Sequence, residues 1–322
     1  MMQSDLSIIL FTTKGPDVLF ECLESLLNQT HPLEKIELII VDDRDNQHLA
    51  QSLKASEYSK FFALKYIPLP YKGSVVARNT GIKNASSKIL AFIDDDCIAD
   101  SDWAKLIIET HRLNPDKPVV GGLTYVSECE NASLVSQFLI NSSVGTGFDK
   151  KEIVFPPAYN VSIKKNIFSE YSFNDSFSLS GGEDLDFFWR IFDQGPRFIW
   201  NRNIKVIHTR NDDLLGFLKR AYRYGRGNLL TAYLHKDAHP LLKELKTGRT
   251  SFWWATLLSF IKIPSFSYLL EERLTKQEKI KSFSRKAYIY LLFILHRVSY
   301  LWGNICEFHK LRENIKIKNM NY

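Results

Sequence analysis

Three consecutive carboxylates, Asp94-Asp95-Asp96, close the apolar run from Ile89 to Ile93. Carboxylates at the end of a buried strand are costly unless they are solvated, paired or bound to a cation. Hard oxygen ligands of this kind suit Mg²⁺ or Mn²⁺. Those ions take one or two protein carboxylates and fill their remaining positions with substrate phosphates. An ion held this way neutralises charge on a departing diphosphate. The same three acids also fit the N-terminal cap of a helix over Ser101 to Ile108, where the helix dipole favours negative charge.

A second constellation is Gly181-Gly182-Glu183-Asp184-Leu185-Asp186, which sets three carboxylates at the start of a predicted helix running through Phe187 to Phe192. The two glycines permit a tight backbone and close approach of a substrate. One carboxylate can take a proton from an acceptor hydroxyl while another orients the substrate. Plain helix capping accounts for the same residues. Arg190 stands four positions after Asp186, the spacing of an ion pair on a helix surface. His208 follows Ile204-Lys205-Val206-Ile207 at the end of a predicted strand, where an imidazole can join a carboxylate around Mn²⁺.

The elements that must position these groups are legible from apolar runs and breakers. Leu6–Phe11 and Ile36–Val41 read as buried strands and Ile89–Ile93 as another apolar strand, with a third strand expected at Ala63–Ile67. Helices are predicted after Lys14-Gly15-Pro16-Asp17, with Val18, Cys22, Leu23, Leu26 and Leu27 at helical spacing, and after Gly73 through Ala77, Asn79 and Ile82. Strand–helix alternation implies parallel pairing with right-handed crossovers, and ligands on such sheets bind outside the carboxyl ends of the strands. Later strand pieces are expected at Thr124–Glu128, Lys151–Phe155 and Phe198–Ile207, and helices from Leu214 onward.

Of the 322 residues, 45% are hydrophobic and 24% charged, which is the composition of a globular chain. The formal charge of +6 is uneven, because Pro240 to Tyr322 holds 15 Lys/Arg against 6 Asp/Glu. A tail-specific acidic partner follows more readily than a generally cationic protein, and no nucleic-acid partner is expected. Cys22, Cys97, Cys129 and Cys306 form no Cys-x-x-Cys pair, which suits a reducing compartment and argues against a disulfide or zinc scaffold. The first residues lack the basic segment and apolar core of a signal peptide.

Together these pieces resemble glycosyltransferase family 2, the inverting enzymes with the GT-A fold. The carrying residues are Ser7-Ile8-Ile9-Leu10-Phe11-Thr12-Thr13, Ile39-Ile40-Val41-Asp42-Asp43, Gly73 with Ala77-Arg78-Asn79-Thr80-Gly81-Ile82, Ala91-Phe92-Ile93-Asp94-Asp95-Asp96, Asn160-Val161-Ser162, Gly182-Glu183-Asp184-Leu185-Asp186, and His208. The resemblance implies an α/β doubly wound mixed sheet over residues 1–215 and a C-terminal helical extension over 216–322. It places Phe11, Thr13 and Asp43 at the nucleoside, Arg78 toward the diphosphate, and Asp95 near the ribose or donor sugar. Asp96, with Asp94 and His208, would hold Mn²⁺ or Mg²⁺. Asp184 matches the catalytic base and Glu183 an acceptor-contacting neighbour. Thr13-Lys14 departs from the family's pattern, in which an aromatic followed by Asn is common.

The implied reaction moves a sugar from a nucleotide-sugar, a UDP-sugar first, to a saccharide or lipid-linked saccharide in cell-surface polysaccharide or lipopolysaccharide synthesis. Two alternatives carry the same elements: a nucleotidyltransferase acting on sugar nucleotides, and a non-catalytic nucleotide-sugar-binding protein. In the tail, Ser251–Leu270 is rich in aromatics but interrupted by Lys262 and Pro264, and Ala287–Leu295 is apolar up to His296-Arg297. Such broken runs with basic flanks predict a helix lying on the anionic cytoplasmic face of a membrane, in preference to a soluble helical pair or a spanning segment.

Overall fold

The computed structural model describes residues 4–126, 156–178, 180–192, 198–209, 213–235 and 283–320. They fall into two compact units. One contains the sheet and its helices, up to Ser178 and again from Asp184 to beyond His208; the other contains the segment ending at Glu183 and the C-terminal helices.

The first unit is built from β1 (Leu6–Thr12), α1 (Pro16–Leu27), β2 (Ile36–Asp42), α2 (Gln47–Ala55), α3 (Tyr58–Phe61), β3 (Ala63–Pro68), α4 (Ser74–Asn84), β4 (Ile89–Asp94), β5 (Cys97–Ala99), α5 (Trp103–Leu113), β6 (Val119–Val126), β7 (Asn160–Lys164), α6 (Glu183–Phe192) and β8 (Phe198–His208). The eight strands form one sheet in the order β3-β2-β1-β4-β7-β6-β8-β5. Strands β1 to β4 pair in parallel; β1, β2 and β4 are the buried apolar runs such pairing favours, while β3, at the sheet edge, is largely exposed. Strand β7 runs antiparallel to both β4 and β6, and β5 antiparallel to β8, so the sheet is mixed.

The core explains the alignment. Leu6, Ile8, Leu10, Ile36, Leu38 and Ile40 are fully buried, with Leu19, Leu23 and Leu26 of α1 packed in the same cluster. Each such side chain contributes about 1.5–3 kcal/mol relative to exposure, so register is strongly specified. Because β1, β2 and β4 are parallel and in register, Thr12 pairs with Asp42 and Phe11 with Asp94. Their carboxyl ends therefore open on one edge of the sheet.

Strands β5 and β7 and helix α2 have no counterpart among the elements predicted from apolar periodicity; they are too short, or too polar, to stand out. The helix expected over Ser101–Ile108 is displaced to Trp103–Leu113, with Asp102 at its N-cap, so the carboxylate triplet is not its cap. Asp94 instead ends β4, and Asp95 and Asp96 form the tight link to β5. The strand expected at Lys151–Phe155 and the aromatic run Ser251–Leu270 lie outside the described residues.

The second unit is dominated by α7 (Leu214–Leu234) packed along α8 (Phe283–Met320). Glycines set the contact. A Cβ on Gly225 would stand 1.9 Å from the Tyr300 carbonyl oxygen, and one on Gly303 2.1 Å from that of Tyr222. Arg226 makes a two-nitrogen ion pair with Glu307, at 2.8 and 2.6 Å. The polar pair His296-Arg297 does not interrupt α8. Among the described residues no helix is long and apolar enough to cross a membrane.

Candidate active site

The carboxylate triplet is assembled by three neighbouring elements. Asp94 ends β4, and Asp95 and Asp96 turn the chain into β5. Strand β5 pairs with β8 so that Cys97 faces His208 across the ladder. That pairing brings His208 Nε2 to 3.5 Å from Asp96 Oδ1, although 112 positions separate them in the chain. The link is reinforced by the Thr209 amide and hydroxyl, which donate to the Asp96 carbonyl at 2.8 and 3.0 Å. Tyr159 packs edge-on against the His208 ring at 5.1 Å.

Asp95 and Asp96 are nearly buried, at 5% and 3% exposure. Thr12, the last residue of β1, donates its hydroxyl to Asp95 at 2.7 Å and accepts the Lys14 amide at 3.1 Å. The Lys14 ammonium sits between the two carboxylates, 3.0 Å from Asp95 and 2.7 Å from Asp96. Burial opposes the Lys14 charge, but Asp96 and then Asp95 outweigh it and hold its pKa above the ordinary value. Burial is also the main reason the Asp95 carboxyl is pushed up, against the attraction of Lys14 and with the repulsion of Asp96. Neither Thr12 nor Lys14 was expected to touch the triplet. The available signal was the position of Lys14 at the carboxyl end of β1, beside the end of β4.

Ligand atoms of Asp96, Cys97 and His208 lie within 4.8 Å of one another, and this is the one group of metal-binding type among the described residues. Its carboxylate and imidazole fit Mn²⁺ or Mg²⁺ with open positions left for substrate oxygens. Cys97 fits poorly. Its soft sulfur does not match these hard cations, and burial first, then the charges of Asp96 and Asp94, push its thiol well above the ordinary pKa. Asp94 is outside the group, and Arg78 approaches it at 3.8 Å.

The residues expected at the nucleoside divide into two kinds. Phe11 and Thr13 are half-buried at the end of β1. Asp43 is fully buried, and its two oxygens accept the amides of Lys72 and Gly73. It therefore clamps the β3–α4 turn, where Gly73 has φ +93°. Arg78 is buried on α4 with its guanidinium 5.7 Å over the Phe173 ring, a contact that anchors it.

At the start of α6 the three carboxylates differ in exposure. Asp186 is buried and held by Arg190 at 2.8 Å, the pair expected from the spacing. Glu183 is buried and accepts the Gly181 amide. Asp184 alone of the three is half-buried, with Oδ1 accepting the Leu185 amide at 2.8 Å. Gly181 and Gly182 have φ +128° and +88°, a region that costs other residues about 1–2 kcal/mol. The close approach found at these glycines is that of a helix: a Cβ on Gly227 of α7 would lie 1.5 Å from the Gly181 carbonyl oxygen. The hydroxyl of Thr231 adds a hydrogen bond to the Gly182 carbonyl at 2.9 Å. Glycine inside the helical pattern at 225 and 227 was the signal for this packing.

Against this geometry, the comparisons with known proteins agree. Residues 7–172 match the family described as glycosyl transferase family 2. Glycosyltransferase AglE of Haloferax volcanii is 24% identical over 287 residues, covering 80% of this chain and 89% of the relative. A Methanococcus voltae enzyme, dolichyl N-acetyl-alpha-D-glucosaminyl phosphate 3-beta-D-2,3-diacetamido-2,3-dideoxy-beta-D-glucuronosyltransferase, is 24% identical over 234 residues, covering 68% of this chain and 71% of the relative. Among solved structures, mannosyltransferase PcManGT of Pyrobaculum calidifontis, in complex with GDP-Man and Mn²⁺, superposes with a TM-score of 0.58 at 13% identity, covering 95% of this chain and 88% of that one. That likeness establishes the fold.

Proposed function

The chain belongs to glycosyltransferase family 2 and has the GT-A fold, and from that premise we propose that it is an inverting, divalent-metal-dependent enzyme moving a sugar from a nucleoside-diphosphate donor to a hydroxyl of a saccharide or lipid-linked acceptor. The observation that carries the reading is the meeting of Asp96 and His208 at the carboxyl ends of the parallel strands. Asp96 and His208, with Asp94 as a further candidate ligand, would hold Mn²⁺ or Mg²⁺, which would supply charge neutralisation to the departing diphosphate. Phe11 and Thr13 line the nucleoside side, Asp43 shapes its wall through the 72–73 turn, and Asp95 faces the ribose or donor sugar.

In the reaction the acceptor oxygen forms a bond to the anomeric carbon from the face opposite the nucleotide. The bond from that carbon to the diphosphate oxygen breaks, and the configuration inverts. Asp184 takes the acceptor's proton, a role supported by its being the most open carboxylate of its cluster, while Glu183 orients the acceptor. The name of the Methanococcus voltae relative concerns a dolichyl-linked sugar phosphate, and it favours a lipid-linked acceptor in surface-glycan assembly here.

The direct test is thermal unfolding with UDP-, GDP- and dTDP-sugars, with and without Mn²⁺, followed by assay of sugar release. A true donor at 100 times its Kd stabilises by about 2.7 kcal/mol. If no sugar nucleotide raises the midpoint and none is turned over, the reading fails.

A lipid-linked acceptor agrees with a second feature. Tyr288, Leu291, Ile294, Val298 and Trp302 are exposed, Trp302 at 60%, and recur every three or four residues along one face of α8. The opposite face, with Leu292, Phe293, His296 and Gly303, is buried, and Ser299 bonds to the Leu218 carbonyl of α7 at 2.7 Å. An apolar stripe on a chain with a basic tail suits peripheral attachment to the cytoplasmic face of an anionic membrane. Full-length protein should co-sediment with anionic vesicles at low salt and be released as salt rises, since each nearby Lys or Arg adds about 1 kcal/mol. Val298→Glu with Trp302→Glu should leave it in the supernatant. Wild-type protein that stays in the supernatant at low salt would remove the membrane from this account.

A further inference from the structure

Lys14, part of the Thr13-Lys14 departure from the family's pattern, is also the cation that bridges Asp95 and Asp96. Lys14 is the first charged residue after β1, and its amide is fixed to the Thr12 hydroxyl, so its main chain is held. Its side chain is 36% exposed and ends between Asp95 and Asp96, whose side chains are 7% and 3% exposed. A four-carbon stem with a mobile ammonium can leave that position without moving the backbone.

We propose that Lys14 is a built-in counter-ion of the Asp95–Asp96 pair that competes with the divalent metal, so that metal binds only as the ammonium swings out. The inference rests on the metal reading given above. Two adjacent, nearly buried carboxylates need compensating charge at all times, because an unpaired buried ion is far costlier than a solvated one. Without metal, Lys14 supplies one positive charge at hydrogen-bonding distance from both. A divalent ion on Asp96 Oδ1, the oxygen that His208 approaches, would take over that compensation, and the Lys14 ammonium on Oδ2 of the same carboxylate would repel it. The ammonium and the metal are thus alternatives at Asp96. Lys14 keeps the empty site folded and neutralised, and lowers its affinity for metal.

The test reads metal affinity and not turnover. Free Mn²⁺ is followed by electron paramagnetic resonance during titration of wild-type protein, Lys14→Gln and Lys14→Arg, with no nucleotide. Lys14→Gln should bind Mn²⁺ about tenfold more tightly than wild type, and Lys14→Arg, which keeps the cation, should not. A second measurement needs no variant: on wild-type protein, saturating Mn²⁺ should increase the rate at which Lys14 is reductively methylated, read by mass spectrometry. Equal or weaker Mn²⁺ binding by folded Lys14→Gln overturns the role of Lys14 alone. Unchanged Lys14 labelling while Mn²⁺ binds overturns it equally. Absence of Mn²⁺ binding by all three proteins removes the metal reading itself, and the proposal with it.

Discussion

Asp96→Asn lowers donor turnover by at least about 10³-fold while the protein stays folded. The expectation follows from the position of Asp96, whose carboxylate is the one oxygen ligand in the described metal-type group and lies 3.5 Å from His208. Replacing one carboxylate oxygen by an amide keeps the shape of the β4–β5 link and its bonds to Thr209, which run to the Asp96 main chain. What is lost is negative charge, both for a hard divalent ion and for the Lys14 ammonium at 2.7 Å. Losing a single electrostatic contact to developing charge typically costs 10²–10³-fold, and loss of a whole ion exceeds that. Circular dichroism and unfolding midpoint check the fold, and donor hydrolysis with Mn²⁺ or Mg²⁺ reads the effect. Wild-type turnover in excess chelator would contradict the metal dependence.

The second large effect is expected at Asp184. Asp184→Asn should reduce glycosyl transfer by about 10²–10⁴-fold, the usual contribution of a positioned general base. Donor binding should survive, because the proposed role of Asp184 is toward the acceptor hydroxyl and not the donor diphosphate. Of the acids at the start of α6, Asp186 is committed to Arg190 and Glu183 to the Gly181 amide. Asp186→Asn should therefore show itself mainly in stability. Single-turnover assays with saturating donor distinguish the two, and transfer by Asp184→Asn at the wild-type rate would disprove the assignment.

Much of the fold could be read in advance because its first half is locally consistent. Leu6–Phe11, Ile36–Val41 and Ile89–Ile93 are apolar runs that only a sheet covered on both faces can bury, and each was found as a parallel strand. The acids that end β2 and β4 were correctly expected at the carboxyl edge for the same reason. Strand β7 was not read as a strand from its pattern, since Asn160-Val161-Ser162 alternates too briefly. Its polar residues are spent internally: Trp103 donates to Asn160 at 3.0 Å, and His111 bonds to Ser162 at 3.0 Å.

The amino-acid sequence by itself determined the family, the parallel half of the sheet, and which carboxylates stand at strand and helix ends, because these depend on local apolar patterning and short motifs. Tertiary structure decided what those carboxylates meet. Cys97 opposite His208, Lys14 between Asp95 and Asp96, and Gly227 beneath Gly181 are pairings between segments distant in sequence. No local propensity specifies them. They arise because a buried charge must find a partner and a close-packed interior leaves only certain approaches open, and both conditions are met only once the whole sheet and helix pair have formed.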